Sequence, residues 1–189
     1  MKKLYPVLGM FLFCGTALRA QNDCCNAEPL LSPLAITIGS SAGNGILEDL
    51  SACSCLATDE HDSYWFSFEC TTSGTFEMMI TPAGLSADFD FALYAEECPC
   101  GSNTTVVSCD YTGPITPPGP FVPTGIASDP MASFGVPGLT EFQPTVNITA
   151  GTVYYIIADN ITTNGAGFTI EFGGTATFGP PPVNPPPPP

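Results

Sequence analysis

The sequence predicts an all-β protein: an antiparallel, jelly-roll-like sandwich of two sheets with about eight strands, stabilised by disulfides. Three observations support this prediction. Apolar and polar residues alternate with a period of two through eight short segments, and helical periodicity is absent. Turn residues such as Gly, Pro, Asn and Ser separate the segments. Eight cysteines follow an N-terminal export signal, which directs the chain to an oxidising compartment where disulfides form.

The eight segments lie within residues 21–178, a length that suits one domain with its own core. Each carries the β-branched and aromatic residues typical of strands and is bounded by a turn. The predicted strands are residues 34–40, 63–70, 74–81, 88–94, 104–111, 144–150, 152–159 and 167–172.

Side-chain parity assigns the inner face of each strand, because successive side chains of a strand point to opposite faces. Trp65 has the opposite parity to its neighbour Phe66. It is either exposed for binding or part of a second buried face, and burial is favoured for a lone tryptophan. The side chains predicted to point inward are Tyr64, Phe66, Phe68, Phe76, Met78, Ile80, Phe89, Phe91, Leu93, Val153, Tyr155, Ile157, Phe168, Ile170 and Phe172.

All three basic residues of the chain, Lys2, Lys3 and Arg19, lie in residues 1–20. A basic start, an apolar stretch and a small residue before Gln21 predict a secretory signal peptide rather than a membrane span. Lipidation at Cys14 is a weaker alternative, because bulky Phe13 precedes it. The 18 acidic residues all follow the signal, so the exported chain carries a charge close to −18. Nucleic acid is therefore an unsuitable partner, and each carboxylate must contact water, N–H or hydroxyl groups, or a cation.

The cysteines beyond residue 20 are predicted to form disulfides, and their even number supports pairing. We expect a bond from Cys98 or Cys100 to Cys109, and bonds from the first cysteine pair to the Cys53 and Cys55 region. A zinc–thiolate site is the alternative, although the Cys-x-Cys spacing does not match the usual knuckle. The eight candidates are Cys24, Cys25, Cys53, Cys55, Cys70, Cys98, Cys100 and Cys109.

Two segments rich in proline are predicted to lie outside the core. Residues 112–140 hold seven prolines and five glycines, which indicates a long insertion between strands. Residues 179–189 are almost entirely proline and predict a polyproline linker or tail.

The order of the strands resembles the bacterial pre-peptidase C-terminal domain, in the variant found in large secreted proteins of the Bacteroidetes type. The resemblance covers residues 22–174 and rests on the aromatic pair Trp65-Phe66, the alternating segment Asp88–Phe91 and the motif AGTVYYI at 150–156. It implies a jelly-roll-like accessory module of exported multidomain proteins. Roles implied for such modules are binding polysaccharide or extracellular matrix, aiding secretion, and keeping neighbouring domains folded.

Calcium is the cation that this acidic chain suits best, because calcium takes six to eight oxygen ligands and tolerates loop geometry. No cofactor is required by any pattern in the sequence, and acid density is the sole signal for calcium. Glu96 and Glu97 are further acids of the same region. The candidate ligands are Asp59, Glu60, Asp62, Asp88 and Asp90.

We expect a secreted, non-catalytic module for adhesion or polysaccharide contact at the cell surface. The candidate contact residues are Trp65, Tyr94, Tyr111 and Tyr154, with Phe121 as a further loop aromatic. The alternative is a structural spacer or stability domain of a larger exported protein, with downstream domains as its partners. An enzyme ranks third. The lone histidine, His61, lies in a charged loop without a nucleophile pattern, and a carboxylate pair of the glycosidase type arises easily by chance in so acidic a chain. Exposed aromatics would favour the binding module, and a uniformly acidic surface the spacer.

Overall fold

A computed structural model describes residues 22–41, 43, 45, 54–56, 60–84, 86–98, 104–111, 123–136 and 142–182. Twelve strands and one five-residue helix lie in these residues. The strands are β1 (Glu28–Pro29), β2 (Ile36–Ile38), β3 (Asp62–Thr72), β4 (Gly74–Pro82), β5 (Phe89–Ala95), β6 (Thr105–Asp110), β7 (Thr124–Ile126), β8 (Phe142–Gln143), β9 (Val146–Ile148), β10 (Val153–Asn160), β11 (Phe168–Gly174) and β12 (Thr177–Gly179), and the helix is α1 (Pro130–Phe134).

The strands form two sheets that pack as a sandwich, as the sequence predicts. The first sheet has the order β1-β3-β10-β5-β6, with β12 also paired to β3. The second has the order β2-β11-β4-β7-β8, with β9 also paired to β4. Each of the eight predicted segments contains a strand. The sheets are mixed rather than purely antiparallel, since β1 runs parallel to β3 and β8 runs parallel to β7.

The main core fills the space between the two sheets. Phe68 stacks on Phe76 of the facing sheet and on Tyr154 of the neighbouring strand, with ring centroids 5.4 Å apart in both pairs. Aromatic pairs in this geometry stabilise beyond the area that they bury. The core takes the predicted inward side chains of β3, β4, β5 and β11, among them Phe66, Phe91 and Ile170.

The predicted parity of β10 is wrong. Ile156 lies opposite Phe66 on one side and Leu93 on the other, so it shares their inner face. Ile157 belongs to the outer face of the first sheet instead, and Tyr155 packs there too. Because β10 is central and buried on both faces, hydrophobicity alone could not distinguish its two faces. The pairing register decides between them.

A second apolar cluster covers the outer face of the first sheet, and we call it the outer cluster. Trp65, Tyr94 and Ile157 project from the three central strands into it, and all three are fully buried. Two segments from elsewhere in the chain lie over them and contribute Cys24 and Leu56. Trp65 therefore belongs to a second buried face.

Two disulfides hold these covering segments in place. Cys24 is bonded to Cys98, with Cα atoms 5.7 Å apart, and Cys55 is bonded to Cys109, with Cα atoms 6.0 Å apart. Both pairings differ from those expected, because the covering segments reach the strand ends of β5 and β6 rather than each other. Cys25 is an exposed thiol and Cys70 a buried one. The candidates Cys53 and Cys100 lie outside the described residues.

The proline-rich segment 112–140 takes part in the core, contrary to expectation. Its described part contains β7, which pairs with β4 and buries Ile126 completely. It also contains α1, capped by the Asp129 carboxylate, which accepts a hydrogen bond from the N–H of Ala132. Pro130 opens this helix and Gly135 ends it with a φ of 75°. The motif Asp-Pro is a helix start signal, so the sequence did contain evidence for this turn.

No helix among the described residues has the length and hydropathy needed to cross a membrane.

Candidate functional site

Two acidic residues of the first sheet, Asp90 and Asp159, lie side by side on its outer face. Asp90 on β5 lies opposite Asp159 on β10, and Asp159 lies opposite Ser63 on β3. Cross-strand partners project from the same face of a sheet. Both carboxylates are buried, with exposed fractions of 7% for Asp90 and 2% for Asp159. Both carboxylates thus lie inside the fold.

Asp159 is held by His61. The backbone N–H of His61 donates to Oδ1 of Asp159 at 2.8 Å, and its ring Nδ1 lies 3.1 Å from Oδ2. Burial raises the pKa of the Asp159 carboxyl above its ordinary value, although the contacts with His61 act in the opposite direction. The histidine side chain is partly exposed and joins the buried carboxylate to the surface.

Two neighbouring acids are also engaged within the fold. Oε1 of Glu60 accepts a hydrogen bond from the indole Nε1 of Trp65 at 2.7 Å. Asp62 accepts two backbone hydrogen bonds, from the N–H of Gly43 at 2.9 Å and from the N–H of Gly165 at 2.7 Å. Each carboxylate thus fixes a loop against the start of β3. Its partners are N–H groups, because the chain has no lysine or arginine beyond residue 20.

The expected calcium ligands that the structure describes do not meet in one shell. Glu60 and Asp62 serve Trp65 and the backbone, Asp88 precedes β5 with its side chain partly buried, and Asp59 lies outside the described residues. Within the described part of the chain, no three His, Cys, Asp or Glu side chains meet as a metal site would require. Calcium binding stays a prediction that a calcium titration must test.

Three of the four predicted contact aromatics are buried. Trp65 and Tyr94 are fully buried in the outer cluster, and Tyr154 is buried in the main core, where its hydroxyl accepts the N–H of Thr149 at 2.9 Å. Among the described aromatic side chains, Tyr111 is the most exposed, at 59%. Phe121 lies outside the described residues. A platform of exposed aromatics is thus not formed by the predicted residues.

An apolar groove that the sequence reading missed lies at the start of the domain. Its volume is about 430 Å³. Leu31 and Leu34 stand largely in solvent, at 74% and 72% exposure. Glu28 bounds the groove and accepts the hydroxyl of Tyr64. The run LLSPL at 30–34, apolar but interrupted by proline, was the available signal for it. The lining residues are Glu28, Pro29, Leu31, Ser32, Leu34 and Ile36.

Comparison with known proteins identifies no relative. No protein-family model matches the chain, and neither a curated protein nor a solved structure shows significant similarity to it. The resemblance to the pre-peptidase C-terminal domain therefore stays a prediction.

Proposed function

We propose that the chain is a non-catalytic structural module of a larger exported protein, which separates and stabilises the domains beside it. The observation that carries this proposal is the closure of both faces of the first sheet. The inner face packs on the second sheet, and the outer face lies under two segments held by disulfides. Because nearly all of the described aromatic side chains are buried or partly buried, the sandwich offers few exposed rings on which a sugar could stack.

The two disulfides stabilise the folded state, which suits a structural module. The bonds close long stretches of chain, with sequence separations of 74 and 54 residues. In the chain-entropy account each such bond contributes about 4 kcal/mol by restricting the unfolded chain. Export places the protein where these bonds persist, and the missing basic residues leave no site for trypsin-like proteases beyond residue 20.

The groove favours a second candidate function, contact with a polysaccharide or matrix surface. Leu31 and Leu34 form an exposed apolar patch beside a proline, and the exposure of this patch to water is unfavourable. The apolar face of a sugar ring could lie against such a patch, and this role corresponds to the adhesion module expected from the sequence. Its weakness is the absence of an aromatic side chain among the groove residues.

One binding experiment separates the two functions. Purified protein lacking the signal is passed over a panel of insoluble polysaccharides at matched ionic strength, with calcium in one arm and a chelator in the other. The spacer function predicts no retention in either arm. Retention would overturn it, and loss of that retention in a Leu31→Asp, Leu34→Asp variant would assign the contact to the groove. Met131→Asp serves as the matched control, because Met131 is exposed on α1 and is not one of the groove residues.

A further inference from the structure

Three sulfur atoms meet where the covering segment that contains Cys24 joins the end of β5. Cys24 and Cys25 are adjacent in a short 3₁₀ turn, Cys24–Asn26. Cys24 is bonded to Cys98, while the Sγ of Cys25 lies 3.9 Å from the Sγ of that same Cys98. The thiol of Cys25 is exposed, whereas Cys24 has only 1% of its surface exposed. A thiol beside a disulfide sulfur is the arrangement from which exchange starts.

We propose that this junction is an intramolecular thiol–disulfide exchange site, in which Cys24 and Cys25 compete for Cys98. The thiolate of Cys25 attacks the Sγ of Cys98, and a new S–S bond forms between them. The bond between Cys24 and Cys98 breaks, and Cys24 leaves as a thiolate that takes up a proton. One disulfide and one thiol are present before and after the step, so no oxidant or reductant is consumed.

The exchange changes which thiol the solvent can reach. Before it, the unbonded thiol of the junction is the exposed Cys25. After it, the unbonded thiol is that of Cys24, which is buried in the outer cluster. The junction thus withdraws a reactive thiol from the surface while the covering segment stays attached to β5. In an oxidising medium this protects the module against disulfides between molecules.

The second thiol described in the fold is a natural comparator. Cys70 is fully buried in the main core and donates to the carbonyl of Thr72 at 3.3 Å. Burial raises the pKa of its thiol, which disfavours the reactive thiolate. Cys70 is therefore expected to react with alkylating reagents only when the protein unfolds.

The first test uses two single variants. In Cys24→Ser we expect a bond between Cys25 and Cys98, and in Cys25→Ser the original bond between Cys24 and Cys98. The protein is alkylated while folded and digested without reduction by proteases that cut at Asp and Glu, since trypsin cannot cut here. Mass spectrometry then identifies the linked peptides. A folded Cys24→Ser protein in which both Cys25 and Cys98 are alkylated would overturn the proposal.

The second test needs no variant and so does not depend on a variant folding. Wild-type protein is incubated at several pH values, quenched in acid, unfolded and alkylated at low pH. Fragmentation of the peptide 23–28 then shows whether the label sits on residue 24 or 25. We expect label on both residues, because the two disulfide isomers are in equilibrium. Label confined to Cys25 at every pH would overturn the proposal.

Discussion

The carboxylate of Glu60 accepts the indole N–H of Trp65 at 2.7 Å, and both side chains are almost completely buried. The contact joins a loop acid to the largest side chain of the outer cluster. It provides the polar partner that a buried tryptophan needs. A residue expected to bind calcium and one considered for ligand contact thus satisfy each other inside the protein.

Replacing Glu60 by alanine should destabilise the fold, because the indole N–H would lose this acceptor inside the protein. The expected loss in the free energy of unfolding is about 1–3 kcal/mol. Glu60→Gln retains an acceptor oxygen and should lose less. Trp65 is the only tryptophan in the sequence, so urea unfolding followed by its fluorescence measures both variants at the site itself. Equal stability of the alanine variant and the wild type would contradict the assigned role of the contact.

The fold could be predicted from the sequence to the extent that its signals are local. The alternation with a period of two and the turn residues located all eight predicted segments. Both signals depend only on residues that are close together in the sequence. Four strands lie outside the predicted segments: β1, β7, β8 and β12 have two or three residues and carry no period. The face of β10 also escaped prediction, since only its register with Phe66 and Leu93 determines it.

The candidate site was less predictable, because it depends on which distant segments meet. Trp65 and Tyr94 have the parity of an outer face, and that face is closed by residues far away in the sequence, such as Cys24. The disulfide partners likewise follow from the path of the covering segments. The absence of lysine and arginine did predict how acids are satisfied, as the two backbone hydrogen bonds of Asp62 illustrate.

Removing the disulfide between Cys55 and Cys109 should loosen the cover over Trp65. A variant with both cysteines replaced by serine avoids a new unpaired thiol. The expected loss in the free energy of unfolding is about 2–5 kcal/mol, since the bond spans 54 residues. Calorimetry at matched pH gives the change in Tm, and a red shift of the Trp65 emission would show that the cover opens. An unchanged Tm would mean that the bond does not stabilise the fold.

Asp159 should give the fold a pH dependence of a definite sign. Its pKa is raised above the ordinary value of 3.8, so the folded state holds this proton more tightly than the unfolded chain. The contribution of Asp159 to stability is therefore greatest in acid and falls as the pH rises through its folded-state pKa. His61, Asp62, Asp90 and Ser63 are the polar groups around it, and the other acids titrate as well.

An Asp159→Asn variant isolates this contribution from that of the other acids. The difference in unfolding free energy between variant and wild type should shift in favour of the variant as the pH rises above about 4. Urea unfolding at pH 4, 5, 6 and 7 measures that difference. Parallel stability curves for the two proteins would show that Asp159 does not titrate differently in the folded state.

Gly125 tests whether the proline-rich segment is an integral part of the sandwich. It pairs with Met79 in β4, and a Cβ added to it would fall on the backbone carbonyl oxygen of Met78. Neither backbone can move easily, because β4 is also paired with β11 on its other side. Gly125→Ala should therefore lower the free energy of unfolding by about 1–3 kcal/mol, as other overpacked core positions do.

Gly84→Ala is the matched control for this substitution. A Cβ at Gly84 meets nothing within 4 Å, so the change should stay within about 0.5 kcal/mol of the wild type or stabilise slightly. Chemical denaturation of both variants beside the wild type measures the contrast. Equal stabilities of the two variants would mean that β7 is not held against β4. Residues 112–140 would then be the surface insertion that their composition predicts, because a loose segment would absorb the extra methyl group without cost.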